Sequence, residues 1–242
     1  MTEGLFLMHE LRVKNSRAVS HVYYLEEDHL AHLELNLKKY EILIIDSIIK
    51  NINIELYRIC LEKCIKIIEL DSGEDTKRID NVFNILNIID EFNIYPINNV
   101  LVVGGGTIQD IAATCLGLIK RGTNWDFIPT TILAQCDSCI GSKTSINSPR
   151  SKNLYGLFYA PKNVYIINSL ALNQNNADLL SGFGDALHYL FLSPENEYIY
   201  INDQFKKIQQ SGIKKYFSNK NCVIDLASHC HKIKKRYVEI DE

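Results

Sequence analysis

The chain has 242 residues, 46% of them apolar or aromatic and 23% charged, and its 26 Lys and Arg against 29 Asp and Glu leave a formal charge of −3. At about 150 residues per domain this is one full core and part of another. The ordinary composition excludes a disordered or collagen-like chain, and the slight acidic balance lacks the basic face of a dedicated nucleic-acid binder. The longest apolar runs, such as Ile42 to Ile45 and Val100 to Val103, are strand-sized and too short to span a bilayer. The first ten residues lack the basic start and long apolar stretch of a secretory signal. Seven cysteines, an odd number, read as reduced thiols, so a cytoplasmic protein with no membrane partner is expected.

In chain order, Tyr40 to Asp46 reads as a buried strand ending in an acid. Asn51 to Cys64 is helix-like, and Cys64 to Leu70 is a second apolar run. Asp71 to Asp75 carries turn chemistry around Gly73. Val82, Phe83, Leu86, Ile89 and Ile94 recur at helical spacing until Pro96 stops them. Asn99-Val-Leu-Val-Val then breaks into Gly104-Gly105-Gly106. From Thr107 the positions Ile108, Ile111, Ala112, Cys115, Leu116 and Ile119 form a helix face, with Gly122 beyond its end. Trp125 to Ile128 and Val164 to Ile167 are further short strands, and after Leu172 helical patterns take over. Strands alternating with helices predict an open, mostly parallel α/β sheet.

Four segments could carry chemistry. A strand that breaks into three glycines and opens a helix presents bare amides and a positive helix end to a phosphate or pyrophosphate. Asp110 lies one turn into that helix, opposite its apolar face. The stretch from Pro129 to Asn147 is dense in small polar residues and embeds Asp137 and Lys143. Its Gly141-Ser-Lys143-Thr144 is not a P-loop, because Ser142 stands where a glycine is required. Cys136 and Cys139 have redox-motif spacing without a thioredoxin-like context. Lys152-Asn153 suits an oxyanion, as a point charge beside a neutral donor. Asp185 and His188, three apart, offer an oxygen and a nitrogen on one helix face. His229 and His231, flanked by Lys232, Lys234, Lys235 and Arg236, read as a solvated helix.

Taken in order, these segments resemble 3-dehydroquinate synthase and the related sugar phosphate cyclases, most strongly from Val100 to Asn168. The likeness rests on the glycine turn with Asp110, on Arg121-Gly122, and on the Pro-Thr-Thr segment through Asp137, Lys143 and Asn147. Lys152-Asn153 and Phe158-Tyr-Ala-Pro161 complete it. The Asp137 and Lys143 segment distinguishes this group from the iron-type alcohol dehydrogenases, which share the glycine turn.

The resemblance implies a Rossmann-like NAD-binding domain over residues 1–172 and the N-terminal part of a helical metal-binding domain over 173–242, with the active site between them. By the same resemblance Asp46, Glu74 and Lys77 hold the adenosine end of NAD. Gly104, Gly105, Gly106 and Asp110 hold its pyrophosphate and ribose, with Thr130 and Thr131 alongside. Asp137 and Lys143 bracket nicotinamide and substrate, and Lys152 and Asn153 grip substrate or cofactor oxygens. Arg121 reaches a partner subunit's phosphate site, implying a homodimer, and Asp185 is the first ligand of a divalent metal, Zn or Co. The implied reaction opens with oxidation of an alcohol of 3-deoxy-arabino-heptulosonate 7-phosphate by NAD. Phosphate is then eliminated, the ketone is reduced, and an aldol step closes the carbocycle.

The sequence departs from this pattern in places. Asp185 replaces a glutamate, His188 stands in place of a substrate-contacting lysine, and Gln174 to Asp178 lacks the usual loop. The chain stops at Tyr237 to Glu242, before the expected glycine–histidine metal motif. These departures imply an N-terminal fragment or degenerate member. Its alternatives are a cyclase for another sugar phosphate and a non-catalytic NAD-binding remnant.

Overall fold

A computed structural model describes residues 7–15, 18–25, 30, 33–34, 37–193, 195–219 and 221–241. Among the described residues seven strands form one sheet: β1 (Leu7–Lys14), β2 (Val19–Leu25), β3 (Tyr40–Asp46), β4 (Cys64–Leu70), β5 (Val100–Gly104), β6 (Trp125–Pro129) and β7 (Asn163–Ile167). Their order is β1-β2-β7-β6-β5-β3-β4. Only the β1–β2 pair is antiparallel; the other pairings are parallel.

Helices whose bounds lie among the described residues are α1 (Ile49–Ile52), α2 (Ile54–Lys63), α3 (Ile79–Glu91), α4 (Gly106–Leu118), α5 (Asn176–Leu187), α6 (Glu195–Ser211), α7 (Ile213–Phe217) and α8 (Cys222–Val238). The central strands are mainly apolar because both faces are covered; the buried Asp126 of β6 accepts from the Tyr40 hydroxyl at 2.8 Å. Side chains alternate between faces. Ile42, Ile44, Val100, Val102, Phe127, Val164 and Ile166 pack in one core with α3, α4 and the C-terminal helices. Leu43, Ile45, Leu101, Val103, Ile128 and Ile167 pack in a second with α2.

The α/β sheet expected from the sequence is therefore present, with several local corrections. The helix-like stretch from Asn51 to Cys64 is two helices, because Asn53 leaves helical geometry (φ −151°) and its side chain caps α2 by accepting from the Leu56 amide at 3.0 Å. Cys64 belongs to β4. Helix α3 ends at Glu91, ahead of Pro96, because Asn93 turns left-handed (φ 49°). Ile94 thus lies outside the helix, and Phe83 is 56% exposed while Val82, Ile85 and Ile89 form the buried face. The β1–β2 hairpin was not anticipated, although β2 carries a period-2 burial pattern that its Val-Ser-His-Val-Tyr-Tyr-Leu sequence foreshadows.

The expected solvated helix around His229 to Arg236 is overturned. Helix α8 buries Val223, Leu226, Ala227, Cys230, His231 and Ile233 against the sheet core. Lys232 and Arg236 occupy the exposed face, as amphipathic periodicity allows, whereas Lys234 and Lys235 are half-buried. Among the described residues no helix is long and apolar enough to cross a membrane.

Candidate functional site

Two adjoining clefts open where β3, β5 and β6 end. The first, of about 590 Å³, runs from Asp46 and Glu74 past Gly105, Gly106 and Thr131 to Asp137. The second, of about 410 Å³, holds Lys143, His188, Tyr189 and Lys234. Asp110, Asp137, Ser138 and Ser145 line both, so they form the shared wall.

The floor of the first cleft is the turn from β5 into α4. Helical geometry leaves the first amides of α4 without intrahelical acceptors, and the helix dipole makes that end positive. A side chain at Gly105 would put its Cβ 3.0 Å from the Thr131 methyl, and one at Gly106 would sit 3.6 Å from Ser138 Oγ. The glycines thus keep this end of the cleft bare. Gly104 serves packing, since a Cβ there would meet Ile108 at 2.7 Å. The Gly104 carbonyl accepts from the Thr130 amide at 3.0 Å. Gly104 and Thr130 are not among the residues lining either cleft.

A buried polar network stiffens the side wall. Lys77 Nζ lies 2.7 Å from Asp110 Oδ2 and donates to Asn153 Oδ1 at 2.8 Å. The Ser145 amide and hydroxyl each donate to Asp110 at 3.0 Å. Burial raises the Asp110 pKa, and Lys77 and Ser145 offset only part of that rise. Asn147 donates to Glu74 Oε1 at 2.7 Å and accepts from the Asn153 amide at 2.8 Å. Asp46, at the mouth, is also raised by burial, against the Ile48 amide and Ser72.

Asp137 sits on a π-helical turn, Ala134–Ser138. Lys234 Nζ donates to its Oδ1 at 2.7 Å and to its backbone carbonyl at 2.9 Å, and the Tyr189 hydroxyl donates to the same carboxylate. Burial acts to raise the Asp137 pKa, but the Lys234 charge and the hydrogen bonds from Lys234 and Tyr189 outweigh it and hold the carboxyl below its ordinary value. Lys234→Ala is expected to destabilise the fold by about 1–2 kcal/mol at pH 7, because it leaves a half-buried carboxylate without its cation. A depressed carboxylate contributes stability above its unfolded pKa of about 4 and loses it as the pH falls through the lower folded value. Urea unfolding of variant and parent should therefore converge in acid; an equal gap at pH 7 and pH 3 would contradict the pairing.

Lys234 and Tyr189 were missed in the sequence. The available signal was that Lys234 follows buried Cys230 by one turn on the apolar side of α8. Other expected residues lie outside both clefts. Lys152 is exposed in a separate depression with Arg78 and Arg150. Arg121 is exposed on a left-handed turn (φ 64°) after α4. Asp185 is exposed, and its carbonyl contacts His188 Nδ1. Among the described residues no three His, Cys, Asp or Glu side chains are grouped so as to hold a metal ion, so the residues described do not fit a metal centre.

Residues 67–179 match the family described as 3-dehydroquinate synthase N-terminal. The 3-dehydroquinate synthase of Alkaliphilus metalliredigens (strain QYMF) is 34% identical over 182 residues, covering 75% of this chain and 48% of that protein. The chain spans about half the length of the curated relatives it matches. A structure of 2-deoxy-scyllo-inosose synthase complexed with carbaglucose-6-phosphate, NAD+ and Co2+ superposes with a TM-score of 0.80 at 18% identity, over 96% of this chain and 64% of that one. The 2-epi-5-epi-valiolone synthase of Streptomyces hygroscopicus subsp. jinggangensis 5008, with NAD+ and Zn2+ bound, gives 0.76 at 21%, over 93% and 62%. At these identities the structural likeness establishes the shared fold.

Proposed function

The chain belongs to the 3-dehydroquinate synthase family, and from that premise we propose that its first cleft binds NAD and its second a phosphorylated sugar for phosphate-eliminating ring closure. The assigned substrate is 3-deoxy-arabino-heptulosonate 7-phosphate. The observation that carries the reading is the shared wall: the cleft floored by the glycine turn and the cleft holding Lys143 and Lys234 meet at Asp137. A cofactor and a substrate placed in them would be in contact there.

NAD, when bound, supplies a reversible hydride acceptor. The residues of the first cleft fit it, since Gly105 and Gly106 leave room for a pyrophosphate at a positive helix end. Asp46 and Glu74, both acceptors, are placed for ribose hydroxyls, and Lys77 and Asn153 stand over the shared wall. In the second cleft Lys143 is a cation with no side-chain partner among the described residues, suited to phosphate or carboxylate. Lys234 holds Asp137 ionised, as an acceptor for a substrate hydroxyl. His188 adds an imidazole donor at the rim. Arg121, exposed and remote from both clefts, is assigned to the contact between two copies in a cytoplasmic homodimer. Residues 1–172 are assigned to the cofactor domain and 173–242 to the start of the substrate domain.

A second reading, an NAD binder without turnover, is favoured by the lack of a metal-capable group among the described residues. The change in NADH fluorescence on titration with the chain tests cofactor binding. Phosphate release from the heptulosonate phosphate, with NAD and Zn2+ or Co2+ added, tests the reaction. Binding with release supports the cyclase; binding without release supports the second reading. No NADH binding would refute both.

A further inference from the structure

Directly beneath the turn that carries Asp137 lies a line of buried polar groups that the proposed chemistry does not use. The Tyr24 hydroxyl on β2 is 2.8 Å from His231 Nδ1. His231 Nε2 is 3.5 Å from Cys139 Sγ, and Cys139 Sγ donates to the Gln135 carbonyl at 3.6 Å. Tyr24, Gln135, Cys139 and His231 are all 0% exposed. One proton order satisfies every link: Tyr24 O–H donates to Nδ1, Nε2–H donates to the sulfur, and S–H donates to the carbonyl. That order keeps the imidazole neutral, as its burial requires.

Gln135 belongs to the π turn and Cys139 directly follows it, so they flank Asp137. His231 and Lys234 are three apart on α8 and therefore share a face. Helix α8 thus grips the turn twice, through His231 beside Cys139 and through Lys234 on Asp137 itself. A π turn is a sparsely used backbone state that persists where surrounding contacts hold it. Lys234 alone, a long and flexible side chain, would follow Asp137 if the turn shifted; a buried imidazole wedged between β2 and the turn would not.

We propose that His231 is a positioning residue that fixes the turn bearing Asp137, and so sets where that carboxylate stands on the wall between the two clefts. This rests on the assignment of the first cleft to NAD. The groups facing Asp137 are Lys234 from α8, Tyr189 and His188 from the short helix after α5, and Cys136 and Cys139 on or beside its own turn. If the turn loosens, Asp137 moves away from Lys234, and its protonation moves toward higher pH.

The test compares two substitutions that each keep one half of the link. His231→Asn can replace Nδ1 toward Tyr24 but does not reach Cys139; His231→Gln reaches the Nε2 position. NADH affinity is measured by fluorescence from pH 3 to 8 on chains shown to melt cooperatively across that range. His231→Asn is expected to lose about tenfold in affinity at pH 7 and to shift the acid limb of binding upward by about one pH unit. His231→Gln should stay within about threefold of the parent with its limb unmoved. If His231→Asn does not fold, Cys139→Ala removes the same contact from the turn side and should give the same loss and shift. Parent-like affinity and pH profile in the His231→Asn or the Cys139→Ala chain, with only a lowered melting temperature, would overturn the proposal in favour of a packing role. Equal losses in His231→Asn and His231→Gln would overturn it too. If the parent itself binds no NADH, the cofactor assignment fails first and this inference falls with it.

Discussion

Gly156→Ala is expected to lower the melting temperature by about 6–12 °C, corresponding to about 3 kcal/mol for a domain of this size. The cause is steric. A Cβ at Gly156 would stand 2.2 Å from the Thr144 carbonyl oxygen, and the obstacle is backbone. Neither side can yield cheaply. The Thr144 amide donates to the Leu157 carbonyl at 2.9 Å, Tyr155 donates to Ile146 at 3.0 Å, and the Leu157 amide donates to Thr144 Oγ1 at 3.0 Å. Parting these segments breaks hydrogen bonds and pulls Ser145 off Asp110, so NADH affinity should fall together with stability. Gly117→Ala is the control. Its added Cβ would meet the tip of Leu157 at 2.8 Å, a flexible side chain that can turn away, so a much smaller shift is expected. Scanning calorimetry decides it, and a Gly156→Ala melt within about 2 °C of the parent would contradict the packing described.

Lys77→Met should cost about 2–3 kcal/mol at neutral pH, more than the half-buried Lys234 pair. The Lys77 and Asp110 side chains are 9% and 18% exposed, so removing the cation strands a carboxylate that water reaches poorly. Asp110 already has a raised pKa, chiefly from burial, and loss of Lys77 raises it further. For a carboxyl raised in the fold, stability is greatest below the unfolded pKa of about 4 and is lost as the pH climbs through the higher folded value. The deficit of Lys77→Met should therefore shrink as the medium is acidified and Asp110 takes up a proton. Urea unfolding at pH 7 and pH 4.5 reads this directly. Asn153 loses its donor in the same variant, so cofactor affinity should drop as well. A constant deficit across that range would mean that Asp110 is not the group left uncompensated.

The residues show which parts of this protein are legible in a linear chain. The strands β3, β5 and β7 declare themselves because burial on both faces demands a mainly apolar run, and a run of that length has few other uses; β6 does so less plainly, since buried Asp126 interrupts it. The turn at Gly105 and Gly106 is legible for a related reason: bare backbone at a strand-to-helix junction requires glycine, whatever packs around it. The family likeness rests on the same kind of signal, short segments whose chemistry and spacing are fixed locally. Edge elements are less legible. The β1–β2 hairpin is half exposed, and its pairing to β7 joins residues far apart in sequence.

By itself, then, the sequence determined the parallel α/β core, the glycine turn that opens α4 and the set of polar residues from Asp110 to Asn153 from which the proposed site is drawn. Only the tertiary structure decided which of those residues meet. It sent Lys152, Arg121 and Asp185 away from the clefts, set Lys77 on Asp110, and brought Lys234 from a stretch that reads as solvated helix onto Asp137. The reason is that periodicity reports which face of an element is apolar, whereas a salt bridge between residues 97 positions apart depends on how whole elements pack. A lysine on a basic helix carries no local mark of the carboxylate it will find.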